Sequence, residues 1–245
     1  MFIKIRPLLF SFFFLLSLEA IVFFPYRVFW ILGIILVFSV WTGITMGKKW
    51  IFSVIPFFFV LSCVGLLYLI SLNLEEQIFI FLSFGIYYLG LYGINRLGLY
   101  AKDQTALAML ATIIITTVFF SFSSFYGIYL NFLVPIYVLM LVYFLVTFLT
   151  SLTYFFLIQN NKKTVLIYSL ILALIMSELI WTMNFWPFGY LTTGIIALIL
   201  YYILWNLIRS HFLNILNRKK VVVNLIFLSL LIAFMLMTSK WLPII

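Results

Sequence analysis

The chain has 245 residues, 67% of them hydrophobic and 8% charged, with 14 Lys and Arg against 5 Asp and Glu for a formal net charge of +9. A soluble domain carries roughly 25% charged residues, so composition excludes one. The basic residues stand singly or in short groups at the ends of apolar runs, which makes them a topology signal and excludes a nucleic-acid surface.

Breaks at charges, Pro, Asn and Gly clusters predict nine membrane-crossing helices, with eight and ten as the outer bounds. They cover residues 8–24, 27–46, 50–72, 76–94, 105–125, 131–158, 164–184, 189–209 and 221–239. Strands are excluded because a membrane barrel would show segments of about ten residues with alternating polarity. The expected fold is an all-α polytopic transmembrane helical bundle, a single membrane-embedded domain over residues 1–245 with no soluble domain.

The opening MFIKIRPLLFSFFFLLSLEAIVFFPYR has the basic start and apolar middle of a secretory signal but lacks a small-residue cleavage site, so it reads as an uncleaved first span. Glu19 lies near its end. The short FFPYR connection then leads to Arg27, from which a guanidinium could reach back to Glu19. Pro56 in the third span and Pro135 in the sixth are candidates for bends, although no sequence repeat surrounds them. In lipid, small residues mark helix contacts. Gly85, Gly90 and Gly93 thin the fourth helix. Ala108, Thr112 and Thr116 form a stripe on the fifth, with Thr117, Ser121 and Ser124 alongside. Ser169, Ala173 and Ser177 repeat the device on the seventh, so these three helices are expected to form the inner bundle.

Residues 209–220, RSHFLNILNRKK, join the last two spans. Phe212, Leu213, Ile215 and Leu216 suit the interface, while Arg209, Arg218, Lys219 and Lys220 suit anionic lipid at the cytoplasmic face. His211 reads as an interfacial residue. Counted on alternate sides, Lys4, Arg6, Lys48, Lys49, Arg96, Lys102, Lys162, Lys163, Arg209, Arg218, Lys219 and Lys220 face Arg27 and Lys240. That asymmetry places the amino terminus in the cytoplasm and, after nine crossings, the carboxyl terminus outside, in the cell membrane. Trp30, Trp186 and Trp241 then fall at outer ends, and Trp41, Trp50 and Trp205 near inner ends, as interfacial tryptophans do.

Two carboxylates stand inside apolar runs at a shared depth below the outer surface, Glu19 in the first span and Glu178 in the seventh. An acidic residue at mid-helix costs about 2.5 to 3.5 kcal/mol on insertion scales and needs a partner or a watery cavity. Asn184, Thr182 or a tyrosine are candidate partners for Glu178, with Trp181 one turn further along. Glu178, Glu19, Asn184, Arg27, Thr182 and Trp181 are therefore the candidate ligand- or ion-binding residues.

One His and one Cys on different elements cannot build a metal site, and neither metal nor cofactor is expected. Phosphate-loop and nucleophile-turn motifs are missing, and no catalytic residue is assigned. The adjacent Glu75 and Glu76 lack the histidines and arginine of CAAX-type intramembrane proteases. The first functional expectation is binding or transport of a proton, cation or small solute through an outward-facing polar pocket. The alternative is a non-catalytic membrane scaffold, or a subunit of a larger membrane complex with a membrane-protein partner. An enzyme acting on a lipid-linked substrate, with a carboxylate as base, ranks third.

Overall fold

The computed structural model describes residues 2–100, 103–132 and 134–238. Lys102, Lys240 and Trp241 lie outside them, and the side chains of Lys4 and Lys220 are not described. Among the described residues there is no strand, and nine helices are long and apolar enough to cross a membrane. They are α1 (Phe2–Phe23), α2 (Val28–Gly47), α3 (Val54–Leu67), α4 (Asn73–Leu99), α5 (Gln104–Phe132), α6 (Ile136–Ile158), α7 (Lys162–Met183), α8 (Tyr190–Phe212) and α9 (Arg218–Thr238). Short 3-10 turns at Pro25–Arg27 and Trp50–Ser53 lead into α2 and α3.

The physical reason for helices throughout is that lipid offers a backbone amide nothing to bond to, so each segment satisfies itself. Hydroxyls follow the same rule. Ser11 donates to the Pro7 carbonyl at 2.8 Å, Thr117 to Ile113 at 2.6 Å and Thr150 to Val146 at 2.6 Å, each one turn back along its own helix. Pro56 is the third residue of α3, and Pro135 immediately precedes α6. Both sit where an α-helix has unpaired amides in any case, so neither removes a bond from a helix interior.

The chain forms two compact units, residues 1–121 and 122–245, with the division falling inside α5. In the first, aromatic rings fill the centre: Phe14 of α1 lies 4.4 Å from Tyr87 of α4, and Phe59 of α3 lies 5.6 Å from the same ring. Backbones approach closely at glycine. A Cβ on Gly98 of α4 would lie 2.6 Å from the Met46 carbonyl oxygen of α2, and one on Gly90 would meet Ile113 of α5. Gly93 is similarly packed against Met109, whereas Gly85 faces open space. Between α4 and α5, Asp103 accepts from the Thr105 hydroxyl at 2.6 Å and the Thr105 and Ala106 amides, and forms an ion pair with Arg96. The Thr105 bond leads these effects in holding the Asp103 carboxyl below its ordinary range.

In the second unit, Tyr143 of α6 stacks on Phe122 with centroids 4.1 Å apart and donates its hydroxyl to the Phe122 carbonyl at 2.7 Å. Ser151 of α6 and Tyr201 of α8 share a hydrogen bond of 3.1 Å between buried hydroxyls. Gly194 of α8 admits Ser123: a Cβ there would lie 2.0 Å from the Ser123 hydroxyl oxygen. Trp205 is fully buried against Tyr154, at 4.7 Å, where the sequence pattern placed it at the interface. The Arg209 guanidinium lies 5.6 Å above its ring. The stripe of Ser169, Ala173 and Ser177 is buried as expected. On α5 Ala108 and Thr112 are exposed, whereas Thr117, Ser121 and Ser124 alongside them are buried as expected, together with Ala106, Leu110 and Ile113.

Candidate functional site

α7 is capped at its start by Asn161, whose side chain accepts from the Thr164 amide, and at its end by Asn184, whose own amide bonds the Ile180 carbonyl. Because the helix is apolar all round, its sequence carries little indication of which face turns inward. The structure separates them. Val165, Ser169, Leu172, Ala173, Met176, Ser177 and Ile180 are buried. Ile167, Ile171, Leu174, Glu178 and Trp181 are exposed. These five recur at steps of four, three, four and three residues, the spacing of a seam along which a second helix can lie in left-handed packing.

Glu178 is the fourth of those five positions, between Leu174 and Trp181. It has no hydrogen-bond or ion-pair partner among the described residues. Thr182, a candidate partner, donates to the Leu179 carbonyl at 2.7 Å, and Asn184 makes no bond to Glu178. Trp181 is 48% exposed and meets Phe185 edge to face at 5.5 Å. The carboxylate thus sits in a band of outward-facing Leu174, Trp181 and Phe185.

Glu19 has a different environment. It is half-buried on α1 and accepts from the Gln77 side-chain amide of α4 at 3.2 Å. Arg27 forms no ion pair with it; its guanidinium is exposed and lies 5.4 Å above the Tyr26 ring. The Pro25–Arg27 turn carries Arg27 away along the start of α2. Gln77 was not singled out in the sequence. Its signal was positional, since Glu19 lies four residues before the end of α1 and Gln77 four residues after the start of α4, so two helices packed end to start bring them level. A cleft of about 170 Å³ opens nearby, lined by Ile21, Pro25, Leu67, Tyr68 and Glu76 in the first turn of α4.

Of the six candidate residues, then, Glu178, Thr182, Trp181 and Asn184 cluster at one end of α7, while Glu19 and Arg27 belong to the first unit without touching each other. Among the described residues no group of three or more His, Cys, Asp or Glu could hold a metal ion. Nothing among curated proteins or solved structures matches the chain. Residues 18–238, however, match the model of a family described as a protein of unknown function, DUF5656, and a match over that much of its length means that the chain belongs to that family.

Proposed function

We propose that this protein is a non-catalytic subunit or scaffold of a larger membrane assembly, and that the outward seam of α7 receives a transmembrane helix of another membrane protein. The observation that carries the reading is Glu178: a carboxylate without a partner, on an exposed apolar face, five residues from the end of α7. In hydrocarbon such a group is costly until it meets a donor. A single polar residue within an apolar seam also fixes register and partner choice. Two copies of α7 paired symmetrically would set carboxylate against carboxylate, so the fitting partner carries Lys, Arg, Asn or Gln at that depth. The distribution of Lys and Arg supports a cell-membrane protein with its amino terminus in the cytoplasm and its carboxyl terminus outside.

The test is native electrophoresis after mild detergent extraction of the full chain from its own membrane. Wild type is expected to migrate well above monomer mass. Glu178→Leu should collapse it to monomer, and Glu178→Gln, which keeps a hydrogen-bonding group, should retain part of the complex. Unchanged mobility for Glu178→Leu would remove the proposal.

A second reading, binding of a cation or small cationic solute, is favoured by one observation in the first unit, where Glu76 lines a cleft next to the Glu19–Gln77 pair. It predicts loss of solute uptake in Glu76→Gln with assembly unaffected.

A further inference from the structure

The second unit holds one acidic residue, Glu178, against Lys162, Lys163, Arg209, Arg218, Lys219, Lys220 and Lys240. Lys162 and Lys163 stand at the start of α7, and Arg209, Arg218, Lys219 and Lys220 flank the 213–217 connection between α8 and α9. α9 adds a second imbalance. Its first turn reads Arg218-Lys219-Lys220 with no acidic residue, so cations crowd the positive end of a 21-residue helix where the dipole favours an anion.

Beside that turn, α8 and α9 enclose a cleft of about 180 Å³. Its polarity is graded. Ser210 and Asn217 stand at the connection, Asn206 and Asn224 face the cleft deeper in, and Ile203 and Leu228 close its apolar end. The Asn217 side-chain oxygen takes the Lys219 amide at 3.1 Å and so caps α9. Asn206 is half-buried and Asn224 exposed, and neither has a hydrogen-bond partner among the described residues. Each lies six residues from its helix end, roughly 9 Å into the helix, where an unanswered amide is expensive in hydrocarbon. α9 itself buries none of its span within the protein.

We infer that this cleft is a binding site for an anionic phospholipid. The phosphate meets the amides and cations at the start of α9, the glycerol-ester region meets Asn206 and Asn224, and an acyl chain runs past Ile203 and Leu228. A phosphate alone would leave the deep amides unanswered, and a hydrocarbon alone would leave the cationic turn unanswered. The site is independent of the α7 seam.

Native mass spectrometry of the full chain in detergent tests it, using phosphatidylglycerol, phosphatidylcholine and inorganic phosphate as separate probes. Phosphatidylglycerol should be retained over phosphatidylcholine by about tenfold or more, as a few basic contacts provide. Arg218→Gln with Lys219→Gln should abolish that preference, and Asn206→Leu with Asn224→Leu should reduce retention of both lipids. The remote pair Lys48→Gln with Lys49→Gln should leave it intact. Equal retention of the two lipids, wild-type behaviour in both cleft variants, an equal loss in the remote pair, or equally tight binding of inorganic phosphate would each overturn the site. Assembly through α7 is read separately by electrophoresis, so either proposal can fail alone.

Discussion

Glu19 and Glu178 lie at nearly the same distance from the ends of their helices, roughly 6 and 7.5 Å by helical rise, yet the protein treats them differently. Glu19 is answered within its own unit by Gln77. Glu178 faces outward with no answer from its own chain. Depth alone therefore does not decide what an intramembrane carboxylate does; the face it occupies does. A polar group on the inner face contributes to folding, and one on the outer face is a demand made of whatever lies alongside.

Substitutions on the two faces of α7 sharpen that contrast most strongly. Ala173→Leu, on the fully buried face, is expected to destabilise the fold by about 1 to 3 kcal/mol through overpacking against α6, read as a lower unfolding temperature in detergent. Leu174→Ala, one residue away on the exposed face, should leave that temperature unchanged and weaken only the assembly. Equal thermal losses would erase the distinction between faces. Glu19→Leu comes next. It strands the Gln77 amide and should cost about 1 to 2 kcal/mol, whereas Glu178→Leu should not lower the stability of the isolated chain. A smaller effect is expected for Tyr201→Phe, which removes the bond to Ser151: about 0.6 kcal/mol, the average for an interhelical hydrogen bond in a membrane protein.

The smallest effect is a pH dependence outside the spans. The Asp103 carboxyl holds its proton less readily in the fold than in the unfolded chain. Its contribution is therefore complete above the ordinary value of 3.8 and fades as pH falls through the lower folded value. Asp103→Asn should flatten the acid limb of a stability profile. It should leave the profile above pH 5 parallel to wild type.

The nine helices were legible because lipid imposes one rule on every segment, and a run of apolar residues long enough to cross leaves the backbone a single solution. Facing was much less legible. In water, the inner face of a helix differs from the outer by polarity, but in this chain both are apolar, and small residues serve lipid contact as well as packing. That is why Ser169, Ala173 and Ser177 read correctly while Ala108 and Thr112 did not. The burial of Trp205 was illegible for a related reason, since a tryptophan near a helix end suits either a headgroup or an aromatic pocket, and the neighbours Tyr154 and Phe155 are brought to it only by packing. At the candidate site, the unusual status of Glu178 could be read from one residue in an apolar run. The Glu19–Gln77 pair could not, because it joins positions 58 residues apart and depends on which helices become neighbours.

The helices differ greatly in reach. α3 with its preceding turn spans Trp50–Leu67, 18 residues, while α5 runs for 29, so one extends for only about 27 Å and the other for about 43 Å along its axis. The short segment is also the most enclosed of the nine, and its boundary is set by protein neighbours more than by lipid tails. A thicker or thinner bilayer consequently bears more on the longer, less enclosed helices than on this short one. Within the first unit this helix supplies a local membrane width, and adjustment by tilt falls to longer neighbours such as the 27-residue α4.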